Sequence, residues 1–124
     1  MSHDERIAEL SETLGLVAAW RSLHGLTAHQ SEVLVHLYAE GAITAADACR
    51  ILGLTTASMT RIVARLEAAG WLLRVRDDAD ARRLILQPTK QLVRAIEELD
   101  AALAVAAGRR DADPDVQHGS LDAC

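Results

Sequence analysis

The sequence predicts a mainly α domain with a small β-hairpin, and three observations predict it. Apolar residues recur at helical spacing through most of the 124-residue chain. Two short helical patterns, one over residues 44–52 and one ending at Gly70, are separated by little more than Gly53 and Leu54. Directly after them, residues 71–76 and 82–87 read as strands on either side of the polar loop Asp77-Asp78-Ala79-Asp80-Ala81.

The first helix is expected over residues 3–23. Ser2 and Glu5 stand at capping-box spacing, where a hydroxyl and a carboxylate each accept one N–H that the first helical turn leaves unpaired. Ile7, Leu10, Leu14 and Val17 then share one face. Gly15 lies inside this helix, where glycine costs about 1 kcal/mol relative to alanine, and it is read as a point of close helix packing. A second helix starts at Thr27, again with a capping box, to Gln30, and turns Val33, Leu34 and Leu37 inward until Gly41.

Thr44 is placed as the N-cap of a third helix through Leu52, Gly53-Leu54 turns the chain, and Thr55 caps the fourth. On a 100° wheel Met59, Ile62, Val63 and Leu66 share one face of the fourth helix. The opposite face carries Ala57, Arg61, Ala64 and Arg65, flanked by Ser58 and Thr60. Two helices joined by so short a turn with glycine in it form a helix-turn-helix. The outer face of the second helix has what a DNA major groove requires. Small side chains let the backbone approach the bases, an alanine methyl can meet a thymine methyl, and arginine can grip guanine O6 and N7 together. Taken alone the segment would also fit an ordinary amphipathic helix with a solvated outer face; the hairpin that follows shifts the weight.

Gly70 suits the left-handed position that ends a helix. A strand follows from Trp71 to Arg76, in which Leu73 and Val75 alternate with Leu72, Arg74 and Arg76. The return strand runs from Arg82 to Gln87 with Leu84 and Leu86 on one side, and the pair is a candidate wing. After Thr89, the spacing of Leu92, Ile96, Leu99 and Leu103 predicts a long helix over residues 89–108, with Ala95, Ala102 and Ala106 permitting close helix approach. Residues 109–124 are polar, carry Pro114 and Gly119 and show no apolar period, so they are expected to be a disordered tail. The organisation is one domain over residues 1–108, with a core at 26–90 and flanking helices at 3–23 and 89–108.

The net charge of −5 looks adverse for nucleic acid until it is divided along the chain. Residues 1–42 hold 2 basic and 6 acidic groups, residues 43–94 hold 9 and 5, and residues 95–124 hold 2 and 7. The basic excess sits wholly in the helix-turn-helix and hairpin, and the acidic flanks discourage indiscriminate attachment to phosphate.

These stretches resemble the winged helix-turn-helix of the MarR family of prokaryotic transcriptional regulators. Leu26-Thr27-Ala28-His29-Gln30 resembles the family's opening of the second helix, and Leu52-Gly53-Leu54-Thr55 its turn. Thr60-Arg61, Arg65-Leu66-Glu67 and Gly70-Trp71 fall on its recognition-helix pattern. Asp80, Arg82 and Thr89 match its wing signature and the cap of the next helix, with no insertion between Thr60 and Thr89.

The resemblance implies a mainly α fold, a winged helix-turn-helix whose flanking N- and C-terminal helices serve for dimerisation. It implies a homodimer on a palindromic double-stranded DNA operator, a repressor's role and control by a small-molecule effector between the DNA-binding lobe and the dimer helices. Only Trp20, Tyr38 and Trp71 are aromatic enough to line such a pocket. Thr60 and Arg61 take positions that face the major groove in the family, and Ala57 and Ser58 those of its first base-contacting residues, with Thr55 and Thr56 beside them. Arg82 matches the arginine that enters a minor groove, whose narrowness deepens its negative potential, and Asp80 is its orienting carboxylate. Arg65 and Arg76 are phosphate candidates. For Arg74 a phosphate contact and an ion pair with a nearby carboxylate stand equal.

The chain also departs from the family, which usually has another long helix where residues 109–124 lie. Asp77 and Asp78 at the wing tip are expected to oppose phosphates, and Ala48, where leucine is commoner, to leave a locally smaller core. These departures support a competing reading, a protein-interaction module or truncated partner that forms mixed dimers with a full-length relative.

No nucleophile motif, phosphate-binding glycine loop or paired catalytic carboxylates argue for an enzyme, and no catalytic residue or cofactor is assigned. Among His3, His24, His29, His36 and His118 there is no His-x-x-x-His pair, so no metal ligand is assigned. Cys49 is read as a small hydrophobe on the third helix and Cys124 as the end of the tail, in preference to a redox switch. A charged N-terminus and the lack of an apolar run near the roughly 20 residues that a bilayer needs lead to a cytoplasmic expectation, with no membrane partner.

Overall fold

The computed structural model describes residues 1–112. Its elements are α1 (His3–His24), α2 (Ala28–Glu40), β1 (Ile43–Thr44), α3 (Ala45–Leu52), α4 (Thr56–Ala68), β2 (Leu72–Arg76), β3 (Leu84–Pro88) and α5 (Lys90–Ala112). The chain divides into two compact units, one of residues 24–96 and one of residues 1–23 with those from 97 onward.

In the first unit each helix begins where a hydroxyl can accept its unpaired N–H. Thr27 Oγ1 accepts from the Gln30 N–H at 3.1 Å while Gln30 Oε1 accepts from the Thr27 N–H at 2.9 Å, so α2 opens on a complete capping box. Thr44 Oγ1 accepts from the Asp47 N–H and Thr55 Oγ1 from the Ser58 N–H, both at 3.1 Å. The end of α4 is fixed as firmly. Gly70 has φ +85°, and the Trp71 and Gly70 N–H groups donate to the Leu66 and Glu67 carbonyls at 2.9 and 3.0 Å. Thr89 closes the circuit: its hydroxyl donates to the Gly70 and Trp71 carbonyls at 2.7 and 3.1 Å and accepts from the Leu92 N–H at 3.3 Å. One side chain thus ties the base of the hairpin to the start of α5.

The sheet is antiparallel with the order β1-β3-β2. The hairpin expected from the sequence therefore has a third strand, in which Ile43 pairs with Leu86 and Thr44 with Ile85. Two residues are too few to show strand alternation, although β-branched Ile43 is buried. The strands start later than expected, β2 at Leu72 and β3 at Leu84, the latter because Arg82 and Arg83 belong to the loop. There the Arg83 N–H donates to the Asp80 carbonyl at 2.9 Å and the Asp77 N–H to the Arg83 carbonyl at 3.1 Å.

Val33, Leu34 and Leu37 of α2 are buried together with Met59, Val63 and Leu66 of α4, Leu72 and Leu86 of the sheet and Leu92. Ile62, on the expected inner face of α4, is half-buried. Trp71 is buried and meets the His24 ring edge-on at 5.3 Å.

In the second unit α1 opens on the Ser2–Glu5 capping box, with bonds of 3.1 and 3.2 Å. These bonds hold the Glu5 carboxyl below its usual range. Trp20, Leu99 and Ala106 are buried, while Ile7, Leu10 and Leu14 are exposed. Gly15 does not mark close packing, since a Cβ there would meet nothing within 4 Å. The last helix continues past Gly108 to Ala112, so Arg109 and Arg110, expected in the tail, are helical. Arg110 pairs with Glu12 and Glu9 of α1, and Arg109 with Glu12, which explains the continuation. The rest of the expected tail lies outside the described residues. Among those described, no helix is long and apolar enough to cross a membrane.

Candidate nucleic-acid interface

The outer face of α4 is built by its own ends. With Thr55 capping one end and Gly70 reversing the other, Met59, Val63 and Leu66 hold the inner face, and Ala57, Thr60, Arg61, Ala64 and Arg65 are left exposed. Arg61 and Arg65 stand one turn apart and make no ion pair with a carboxylate among the described residues. Their charge is available to a ligand. Ser58 is half-buried at the edge of this face.

The threonines are more committed than their positions indicated. Thr55 Oγ1 is occupied by the Ser58 N–H, so its first duty is the cap. Thr60 Oγ1 donates back to the Thr56 carbonyl at 2.8 Å, leaving its methyl and oxygen lone pairs for an outside partner. Thr56 is exposed beside it.

An open groove of about 330 Å³ runs along the α4 face. Ser58, Arg61 and Arg65 form one side of it, and Thr27, His29 and Gln30 of the α2 start form another. His29 and Gln30 did not stand out in the sequence as members of this surface. Helical periodicity gives the face of one helix and not which other helix stands beside it. His29 Nδ1 is 3.8 Å from Glu32 Oε1.

On the wing, Arg82 projects into solvent, with 93% of its side chain exposed. Asp80 Oδ1 accepts from the Arg82 backbone N–H at 3.0 Å and from Nε at 3.3 Å, which aims the guanidinium without burying it. Asp77 departs from expectation. Only 17% of its side chain is exposed; it accepts from the Ala79 N–H at 2.9 Å and lies 3.3 Å from Arg83. Its carboxylate folds the loop instead of confronting phosphates. Asp78 is exposed. Arg83 also helps to hold the Asp47 carboxyl of α3 below its usual range, after the larger effects of Arg50 at 2.7 Å and the Thr44 contact.

For Arg74 the geometry gives the ion pair. Its Nε and Nη2 lie 2.8 and 2.7 Å from Glu67 Oε1, and its backbone N–H reaches Oε2 at 3.3 Å. The guanidinium hydrogen bond, above all, holds the Glu67 carboxyl below its usual range. Arg74 therefore fastens β2 to the end of α4, and it is a poorer phosphate candidate than exposed Arg76, which has no carboxylate partner among the described residues.

Residues 24–83, the helix-turn-helix with most of the wing, match the model of the MarR family. Over those 60 of its 124 residues the chain is similar to the MarR family. A relative, the HTH-type transcriptional regulator YcgE of Bacillus subtilis (strain 168), is 37% identical over 59 residues, which cover 48% of this chain and 38% of YcgE. The chain thus matches well under half the length of that relative. The fold extends the likeness beyond residues 24–83. A Staphylococcus aureus MepR mutant bound to an oligodeoxyribonucleotide superposes with a TM-score of 0.77 at 18% identity, over 99% of this chain and 88% of that one. Reduced AbfR bound to DNA gives 0.65 at 27% identity, over 81% and 73%.

Proposed function

We propose that this chain is a sequence-specific double-stranded DNA-binding transcriptional regulator, acting as a repressor and as a homodimer on a two-fold operator, with release by a small-molecule effector. The carrying observation is the exposed face of α4, where Arg61 and Arg65 have no carboxylate partner among the described residues, next to a wing that projects Arg82. Guanidinium groups left free on a capped helix can reach base edges, and one on a hairpin tip can enter a narrow minor groove. The match of residues 24–83 to the MarR family model supports the same reading, as do the DNA-bound MepR and AbfR of similar fold. In the competing interaction-module reading the acidic wing tip had weight; the turn of Asp77 into its own loop removes part of it.

Fluorescence anisotropy with DNA from upstream of the protein's own gene tests the proposal. Arg61→Ala and Arg82→Ala should each weaken binding by about 1–3 kcal/mol, and affinity should fall steeply with salt as counterions are released. Equal binding by both variants and the unmodified protein would sink the groove assignment.

A further inference from the structure

The groove beside α4 has a wall that α4 does not supply. His29 and Gln30, in the first turn of α2, line it together with Arg61 and Arg65 of α4, and none of the lining residues is a carboxylate. Gln30 Oε1 is taken by the Thr27 N–H at 2.9 Å, so the uncommitted end of its amide is the donor end. A surface of donors and positive charge suits a phosphate oxygen. His29 differs from both arginines, because an imidazole changes its charge near neutral pH and a guanidinium does not. Among the described residues, the charged groups about the ring are Glu32 on its own helix, with Oε1 3.8 Å from Nδ1, and Arg61 and Arg65 on the α4 side of the groove. A phosphate among them favours the charged ring, and the charged ring favours the phosphate.

We propose that His29 is a ligand for a backbone phosphate of duplex DNA, and that through it the protein takes up a proton as it binds. The proposal rests on the DNA-binding reading and adds to it a contact outside α4 and the wing, one whose strength follows pH. With 60% of the side chain exposed, the ring is open both to a phosphate and to solvent protons. Such a contact is blind to base sequence. It releases a counterion only while the ring is charged.

Fluorescence anisotropy of the full chain at low salt tests this, with a duplex from upstream of the protein's own gene and a second duplex of scrambled sequence. Between about pH 8 and about pH 6 the unmodified protein should gain affinity several-fold as the ring is protonated. The slope of log affinity against log salt should steepen by about 0.9 per protomer over the same interval. His29→Gln should lose both changes on both duplexes, and the comparison isolates this ring because His3, His24, His36 and His118 are kept in both proteins. His29→Lys, charged at both pH values, should show the steep slope at both. An equal pH response in the unmodified protein and His29→Gln would overturn the proposal. So would a His29→Lys protein that behaves as His29→Gln, since the contact would then not depend on charge. A loss in His29→Gln confined to one duplex would mean a base contact and would overturn the phosphate assignment. Absence of binding by all three proteins at either pH would bring down the DNA-binding reading and this contact with it, whereas binding by all three with one pH response sinks this contact alone.

Discussion

Two regions of this molecule carry the same kind of apolar helical repeat and meet different fates. On α2, Val33, Leu34 and Leu37 are at most 1% exposed. On α1, Ile7, Leu10 and Leu14 are 51%, 54% and 60% exposed. A helical repeat states that one face is apolar and does not state what covers it. In residues 24–96 the cover is the chain's own sheet and recognition helix. For α1 the proposed homodimer supplies the cover, since a contiguous apolar stripe left in water marks an interaction surface.

The largest effect should come from charging that stripe. Leu10→Glu with Leu14→Glu removes four leucines from a dimer interface, each worth about 1.5–3 kcal/mol when buried, and light scattering at micromolar concentration should change from dimer to monomer. The helical content should persist, because neither leucine belongs to the core of residues 24–96. A dimer that survives the double change would mean that this stripe is not its interface. The contrasting substitution is Leu34→Ala, at a side chain with 0% exposure. Urea unfolding should show about 2–5 kcal/mol of lost stability, from the missing methyl groups and the cavity left behind. A loss below about 1 kcal/mol would show that α2 can collapse onto the gap, and the contrast between the two helices would narrow.

Much of this was legible in the sequence for a local reason. Ser2, Thr27, Thr44 and Thr55 cap helices through partners three residues away, and Gly70 ends one through its own φ. Those are short-range rules, and the helix boundaries follow from them. What escaped was set by distant parts. β1 was missed because Ile43 and Thr44 become a strand only by pairing with Leu86 and Ile85. The α4 face was legible from spacing, but its neighbour His29 was not. Ala48, where a smaller core was expected, is buried and does not line the void that opens beside Ala45 and Ala46. Arg74 stood between two readings because its partner, Glu67, lies across a helix end and a turn.

That last pair gives the smallest and most specific test. Glu67 joins α4 to β2 inside the better-covered region, and its carboxyl is held below the ordinary range by the Arg74 guanidinium hydrogen bond and, to a smaller degree, the Arg74 N–H. A carboxyl lowered on folding binds its proton more readily in the unfolded chain. Its contribution is therefore full above the ordinary glutamate value of about 4.3, and it is lost as pH falls through the lower folded value. Glu67→Gln removes the charge while keeping the shape. The stability gap between the unmodified protein and Glu67→Gln should be constant at neutral pH and close as pH falls below that ordinary value. Asp47 and Glu5 also carry lowered carboxyls, but they are present in both proteins and cancel in the difference. A gap undiminished by acid would mean that glutamine fails at this position through packing or the Arg74 N–H bond, and that the ion pair does little to hold the wing against the recognition helix.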